Sequence, residues 1–315
     1  MENTTMENTR AKTTRNSLIL LLTAAIWGMA FVSQSKGMDY MHPFTFNGVR
    51  SLIGAASILV YILISRKIAG DKAAPLDWKL NVKAGLLCGI FLTIASTLQQ
   101  FGIKYTSVGK AGFITTLYII FVPMFGIFLK KKVAPVVWAA AVMAAVGMYL
   151  LCMTESLRLG AGDIMVFLCA IAFAIQIMTV DHYAARIDGA VVSCIQFTVC
   201  GVVCCIGALI WGQPTFGQLQ EGLGALLYAG VLSCGVGYTL QIVGQKGLNP
   251  TVAALIMSLE SVIATISGWI AYKIGFLTTD QTLTARQIAG CVIVFAAVIL
   301  VQLPPEWFRF GKKNA

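Results

Sequence analysis

Charged side chains are scarce in this sequence. Asp, Glu, Lys and Arg make up 11% of its 315 residues, where a soluble globular domain carries about a quarter. Histidine is scarcer still: His42 and His182 are the only two and lie far apart. That spacing suggests no metal site, and no metal or other cofactor is expected. The nine cysteines form no CxxC pair and have no neighbouring histidine. They sit inside or at the ends of apolar runs and read as small, polarizable packing residues. There is no GxSxG, no HExxH, no Walker-type loop and no pair of carboxylates within one segment, so no enzymatic chemistry is indicated. No linker is long enough to suggest a separate soluble domain.

What the chain has in abundance is apolar surface. Apolar residues make up 58% of it and the mean hydropathy is +0.81. A bilayer core of roughly 30 Å takes about 20 apolar residues in helical form, and runs of that length recur along nearly the whole chain. Lipid offers no partner to backbone N–H and C=O groups, so each run must be a helix or part of a closed barrel. Barrel strands alternate apolar and polar residues over about ten positions, whereas these runs are longer and solidly apolar. The fold class is therefore an all-α integral membrane protein. About ten spanning helices are expected, near residues 17–35, 44–65, 84–103, 109–129, 133–152, 163–180, 190–211, 223–243, 251–272 and 288–303. The first run continues past Trp27 without a small-residue cleavage site, and so reads as a retained helix.

The formal charge of +10 does not point to nucleic acid, because the basic residues sit in short loops instead of forming a stripe. Counted on alternate loops, sixteen fall on one side, among them Arg10, Lys12, Arg15, Arg66, Lys67, Lys130, Lys131, Lys132 and Lys313. Six fall on the other: Lys36, Lys104, Lys110, Arg158, Lys273 and Arg286. Arg50 lies within a run. The positive-inside rule then places both termini in the cytoplasm of a multi-pass protein of the cell membrane.

An internal repeat organises the chain. Thr97, Leu98, Gln99, Gly102 and Lys104 recur in register as Thr239, Leu240, Gln241, Gly244 and Lys246. The register continues through Ala111 and Ala253, Ile114 and Ile256, and Leu117 and Leu259. The copies belong to the third and eighth runs. Five helices apart is an odd number, so the halves enter the membrane from opposite sides, the inverted arrangement on which alternating access is built. The expected division is a cytoplasmic tail (1–16), a first five-helix repeat (17–152), a second (163–303) and a basic cytoplasmic tail (304–315).

Several stretches together resemble the EamA family of the drug/metabolite transporter superfamily over essentially the whole chain. Ala25-Ile26-Trp27-Gly28-Met29-Ala30-Phe31 is similar to the family's first-helix motif, and Phe46-Asn47-Gly48-Val49-Arg50 to its second-helix arginine motif. Gln99-Gln100-Phe101-Gly102 with Gly109 to Ile114 resembles its third-to-fourth helix junction. Pro250 to Leu255 with Ser258-Leu259-Glu260-Ser261 resembles its ninth-helix segment. The chain departs from many relatives at Ser261, where they carry proline, and at Lys130–Lys132, where they carry an acidic residue. The resemblance implies ten helices around a midplane cavity, and a secondary transporter of a small metabolite such as an amino acid. Its direction would be export, and without an ATP-binding domain it would run on gradients or uncoupled. The bilayer and a small-molecule substrate are the implied partners; nucleic acid is not, and a homodimer is allowed but not required. The rival readings are a membrane-embedded sensor and a lipid-modifying or lipid-handling protein using the same cavity.

Intramembrane charges are costly, so the few present are the first site candidates. Glu260 lies midway along the ninth run, on a face with Ala253, Ala264, Ser267 and Gly268. It reads as a cavity carboxylate that binds a cation or titrates, or as a structural group hydrogen-bonded to a neighbour. Arg50, about two turns into the second run, either holds a substrate anion, pairs with Glu260 or snorkels outward. In the repeat alignment Glu260 corresponds to Tyr118 and Arg50 to Gln196. This asymmetry suits a substrate with chemically distinct ends. Tyr118, Gln99, Gln241, Trp27, Thr115 and Gln196 complete the candidate site. Pro123 is expected to kink the fourth helix, with hinges near Gly109 and Gly112.

Overall fold

The computed structural model describes residues 2–70, 75–106, 108–129, 133–152, 160–277 and 282–302. The basic cluster Lys130–Lys132, Arg158 and the tail 304–315 lie outside the described residues. Among the described residues all regular structure is helical, in the order α1 (Glu2–Gly37), α2 (Pro43–Ala69), α3 (Trp78–Tyr105), α4 (Val108–Thr116), α5 (Tyr118–Phe128), α6 (Pro135–Cys152), α7 (Ala161–Tyr183), α8 (Gly189–Gly207), α9 (Phe216–Glu221), α10 (Leu223–Leu227), α11 (Tyr238–Gln245), α12 (Pro250–Met257), α13 (Leu259–Lys273) and α14 (Ala285–Gln302). Two π-helical stretches interrupt the order, Ala208–Gly212 after α8 and Tyr228–Gly237 between α10 and α11.

Among the described residues, eight continuous helical stretches are long and apolar enough to cross a membrane, the shortest being Val108–Phe128 and the longest Trp78–Tyr105. Two shorter apolar helices, Pro135–Leu150 and Ala285–Leu300, stand where the fifth and tenth runs were expected. Polarity is distributed as lipid demands. Leu59, Leu63, Val142, Val203 and Val292 are exposed, while Gln34, Asn47, Gln99, Gln176, Gln241 and Glu260 are buried. Water would favour the reverse, so the arrangement itself marks a bilayer protein.

Helix starts follow local capping chemistry. Asp77 accepts a hydrogen bond from Leu80 N–H at 3.0 Å, which starts α3 six residues before the expected Ala84. Asp188 caps α8 through Ala190 and Val191 N–H, at 2.9 and 3.1 Å. Asn249 accepts from Thr251 N–H at 2.9 Å, with Pro250 in the first helical position. The short helix α9 lies within a stretch expected to be loop. Thr215 and Gln218 close a reciprocal capping box there, a local signal that hydropathy does not register.

The long helices pair in a regular pattern. α2 packs along α8, α6 along α14, and α3 along α7, while the π stretch and α11 pack along α1. The contacts are close enough to exclude side chains. A Cβ on Gly102 of α3 would lie 2.9 Å from the Gly162 carbonyl of α7, and one on Gly244 of α11 would lie 3.2 Å from the Asn16 carbonyl of α1. Likewise a Cβ on Gly147 of α6 would lie 2.9 Å from the Gly290 carbonyl of α14. Small residues at helix crossings are how membrane helices gain packing without a hydrophobic driving force.

Two spanning stretches are interrupted at matching places. The fourth tightens at Leu117, where Ile120 N–H bonds to the Leu117 carbonyl at 2.9 Å. The ninth tightens at Ser258, where Ser261 N–H bonds to the Ser258 carbonyl at 3.1 Å. At both, a hydroxyl bonds back to a carbonyl three residues earlier: Thr116 to Phe113 at 2.9 Å and Ser258 to Leu255 at 2.7 Å. Such back-bonding competes with the helical ladder and bends it. These interruptions stand apart from Gly109 and Gly112, which lie inside α4, and from Pro123, inside α5.

Candidate functional site

Both interruptions border one cavity within the helix bundle. Tyr118 opens α5 and Glu260 stands in the first turn of α13. Their side chains meet: the Tyr118 hydroxyl donates to Glu260 Oε1 at 3.0 Å. Tyr118 is 3% and Glu260 4% exposed. No basic group lies within 4 Å of Glu260 among the described residues. A carboxylate in so low a dielectric is held by a single donor from the opposite half of the sequence.

Above this pair the wall is aromatic. Trp27, Phe31, Phe173 and Tyr238 line the cavity with Tyr118. The rings of Trp27 and Tyr238 are 4.5 Å apart and tilted by 50°, and Phe197 meets Tyr238 edge-on at 4.9 Å from behind. The indole N–H of Trp27 donates to the Ser233 carbonyl at 3.4 Å. Ser233 lies in the Tyr228–Gly237 π stretch, where altered ladder geometry presents carbonyls differently from an α-helix. Gly237 closes that stretch, and a Cβ there would come within 2.6 Å of the indole nitrogen. Gly28 serves the opposite side of α1: a Cβ there would lie 2.7 Å from the Glu260 carbonyl oxygen. The Trp27-Gly28 pair thus puts the indole into the cavity while α1 seats closely on α13.

The remaining wall is made of amides and hydroxyls. Gln99 donates to Thr115 Oγ1 at 3.2 Å. Gln176 and Gln241 bond reciprocally through their amides, at 3.4 and 3.2 Å. Gln34 is 4% exposed and its Oε1 has no hydrogen-bond partner. Among the described residues on the lining there is one carboxylate and no Lys, Arg or His, and none of the described residues form a metal-holding group of three His, Cys, Asp or Glu.

Six of the eight residues singled out from sequence line the cavity: Trp27, Gln99, Thr115, Tyr118, Gln241 and Glu260. Gln196 stands one layer behind, its Oε1 accepting from Gln176 Nε2 at 3.5 Å. Arg50 is off the lining, and its suggested pairing with Glu260 is not found. Its Nε donates instead to Asn47 Oδ1 at 3.0 Å, with its guanidinium 5.5 Å from the centre of the Phe46 ring. Asn47 passes the connection on to Ser96 Oγ at 3.1 Å and Cys204 Sγ at 3.3 Å. Arg50 therefore belongs to a polar knot among α2, α3 and α8. Gln34, Gln176, Ser233, Phe31, Phe173 and Tyr238 were not anticipated. Gln176 carried a usable signal, being an amide in the middle of an apolar run; the others are ordinary residues of a spanning helix.

The model of the EamA-like transporter family matches the chain twice, over residues 15–153 and 160–303. A protein of Archaeoglobus fulgidus named only as an uncharacterized transporter is 27% identical over 290 residues, covering 90% of this chain and 84% of its own. The uncharacterized transporter YwfM of Bacillus subtilis is 24% identical and covers 92% of this chain and 94% of its own. A solved crystal structure superposes with a TM-score of 0.72 at 16% identity, over 94% of this chain and 99% of its own. That likeness is one of fold alone.

Proposed function

This chain belongs to the EamA-like transporter family, and from that premise we propose a carrier that moves a small metabolite by alternating access through the cavity at Glu260 and Tyr118. Its place is a bilayer, as a multi-pass membrane transporter of that type. The finer reading has ten spans, with Pro135–Leu150 and Ala285–Leu300 as the fifth and tenth, in two inverted halves with both termini in the cytoplasm of the cell membrane. Export is the direction that the resemblance implies.

The observation that carries this reading is the bond between Tyr118 and Glu260. It joins two interrupted helices, one from each half, at the wall of one cavity, which is where discontinuous-helix transporters place their sites. The helix pairings support the inverted arrangement. Gly102 and Gly244 occupy equivalent positions in the repeat and make equivalent close contacts, with α7 and α1 respectively. α2 on α8 and α6 on α14 each pair a helix with its own counterpart, as a two-fold axis requires. Rocking one half against the other would open the cavity alternately to each side.

Counterflow in liposomes tests the carrier. Vesicles holding the purified protein are loaded with one pool of unlabelled amino acids, sugars, nucleosides and amines, then exposed to labelled members of the pool. Trans-stimulated uptake that Glu260→Gln reduces at least about tenfold is the expected result. Flux without trans-stimulation, or no flux of any compound, sinks the proposal.

A further inference from the structure

We propose that the transported molecule is a small organic cation, an amine whose ammonium group sits against Glu260 while its apolar body lies along Trp27, Phe31 and Phe173; this rests on the carrier reading above. The sequence, with Arg50 and Glu260 both in view, suited a substrate carrying both charges. The structure removes the arginine from the wall. What remains is one carboxylate with no basic side chain on the described lining. An anionic head group would face an acidic side chain and find no basic one on the described lining to compensate it, in a medium where unpaired charge is heavily penalised.

Hydrogen-bonding capacity points the same way. The amides of Gln176 and Gln241 are bonded to each other and the Gln99 amide is bonded to Thr115. The Tyr118 hydroxyl donates to Glu260. Among the described residues two acceptors on the lining stand open, the second oxygen of Glu260 and Gln34 Oε1. An ammonium group brings up to three donors and no acceptor, matching that remainder. The aromatic wall completes the match, because a cation within about 6 Å of a ring centre is attracted by the π face.

The test uses the full chain purified in detergent and matched series of primary amine, alcohol and carboxylate on identical propyl, pentyl, benzyl and phenethyl bodies. Binding is read by calorimetry and by the rise in melting temperature. At least one amine is expected to bind about a hundredfold more tightly than its alcohol and carboxylate twins, and Glu260→Gln to abolish most of that preference. Glu260→Gln keeps an acceptor for Tyr118 and nearly the same volume, so its unliganded melting temperature should match or exceed the wild type and separate lost binding from lost folding. Gln34→Leu gives an independent check, expected to weaken the amine several-fold while leaving the twins unaffected. Equal binding of a carboxylate or alcohol twin, unchanged amine affinity in Glu260→Gln, or no binding by any amine each overturns the inference. In those cases counterflow of an amino acid, sugar or nucleoside leaves the carrier standing without the cation, whereas absence of all counterflow removes both.

Discussion

Tyr118 gives Glu260 its single hydrogen bond among the described residues, so the hydroxyl and the carboxylate act as a unit. Tyr118→Phe should destabilise the protein by about 1–3 kcal/mol, the range for orphaning a buried polar group, as read by unfolding in detergent. No measurable change would mean that the carboxyl finds another donor. Arg50 makes the opposite case. Arg50→Lys loses the Nε donor to Asn47 and should cost about 1–3 kcal/mol of stability while leaving the substrate affinity within about threefold. A tenfold loss of affinity would put Arg50 back in the site. His42, in the turn before α2, is held below its ordinary 6.5 first by burial and then by Lys104. The fold favours its neutral form, in which Nδ1 accepts from Phe44 N–H. The unfolded chain therefore binds the proton first, so stability present above about pH 6.5 is lost as pH falls below it. His42→Asn puts a capping oxygen where Nδ1 now accepts, and the difference between the two melting curves should open only on the acid side. At this scale much was legible, because an intramembrane polar residue is informative wherever it occurs. Glu260, Tyr118, Gln99 and Gln241 could be named from that rule, while Arg50 satisfied the same rule and yet faces α3 and α8.

The helices are held at one end by an ion pair. Asp163, at the start of α7, accepts from Lys110 Nζ at 2.6 Å, Thr106 Oγ1 at 2.8 Å and Gly160 N–H at 2.8 Å. It pins the α3–α4 junction to α7 at the Lys110 end of the bundle. At the other end α1 meets α11 through an uncharged contact, Asn16 Nδ2 donating to the Lys246 carbonyl at 2.7 Å. Asp163→Asn should cost about 1–3 kcal/mol, less than a fully buried pair because Lys110 is partly exposed. Hydrogen exchange should quicken over residues 102–106 and 160–166 and stay unchanged at α1 and α11; acceleration at both ends would show one cooperative unit instead of two clasps. Capped helix starts were visible in the order of residues, as at Asp188 and Asn249-Pro250. The π stretch Tyr228–Gly237 was not: its third-helix counterpart is a regular α-helix, and hydropathy does not distinguish a π from an α ladder. The interruptions at Leu117 and Ser258 lie beside hydroxyls bonded back to carbonyls three residues earlier, a weaker signal in sequence than a proline or a glycine.

The molecule as a whole is apolar outside and polar within, and its orientation is open to a direct test. Reporter fusions at both ends of the chain should report the cytoplasmic side, as the clustering of Lys and Arg requires; a periplasmic signal from either end would overturn the topology. Composition and run length by themselves determined that this chain is helical and lies in a membrane, because transfer free energy adds residue by residue and needs no partner. The register of Gly102 with Gly244 pointed likewise to two related halves. Only the tertiary structure decided that Gln34, Gln176 and Tyr238 share a wall with Glu260 and that Arg50 does not. Which face a helix turns inward depends on its rotation and tilt against its neighbours. Those are set by the summed small-residue contacts at Gly28, Gly102, Gly147 and Gly244, a property of pairs of helices that no single run contains.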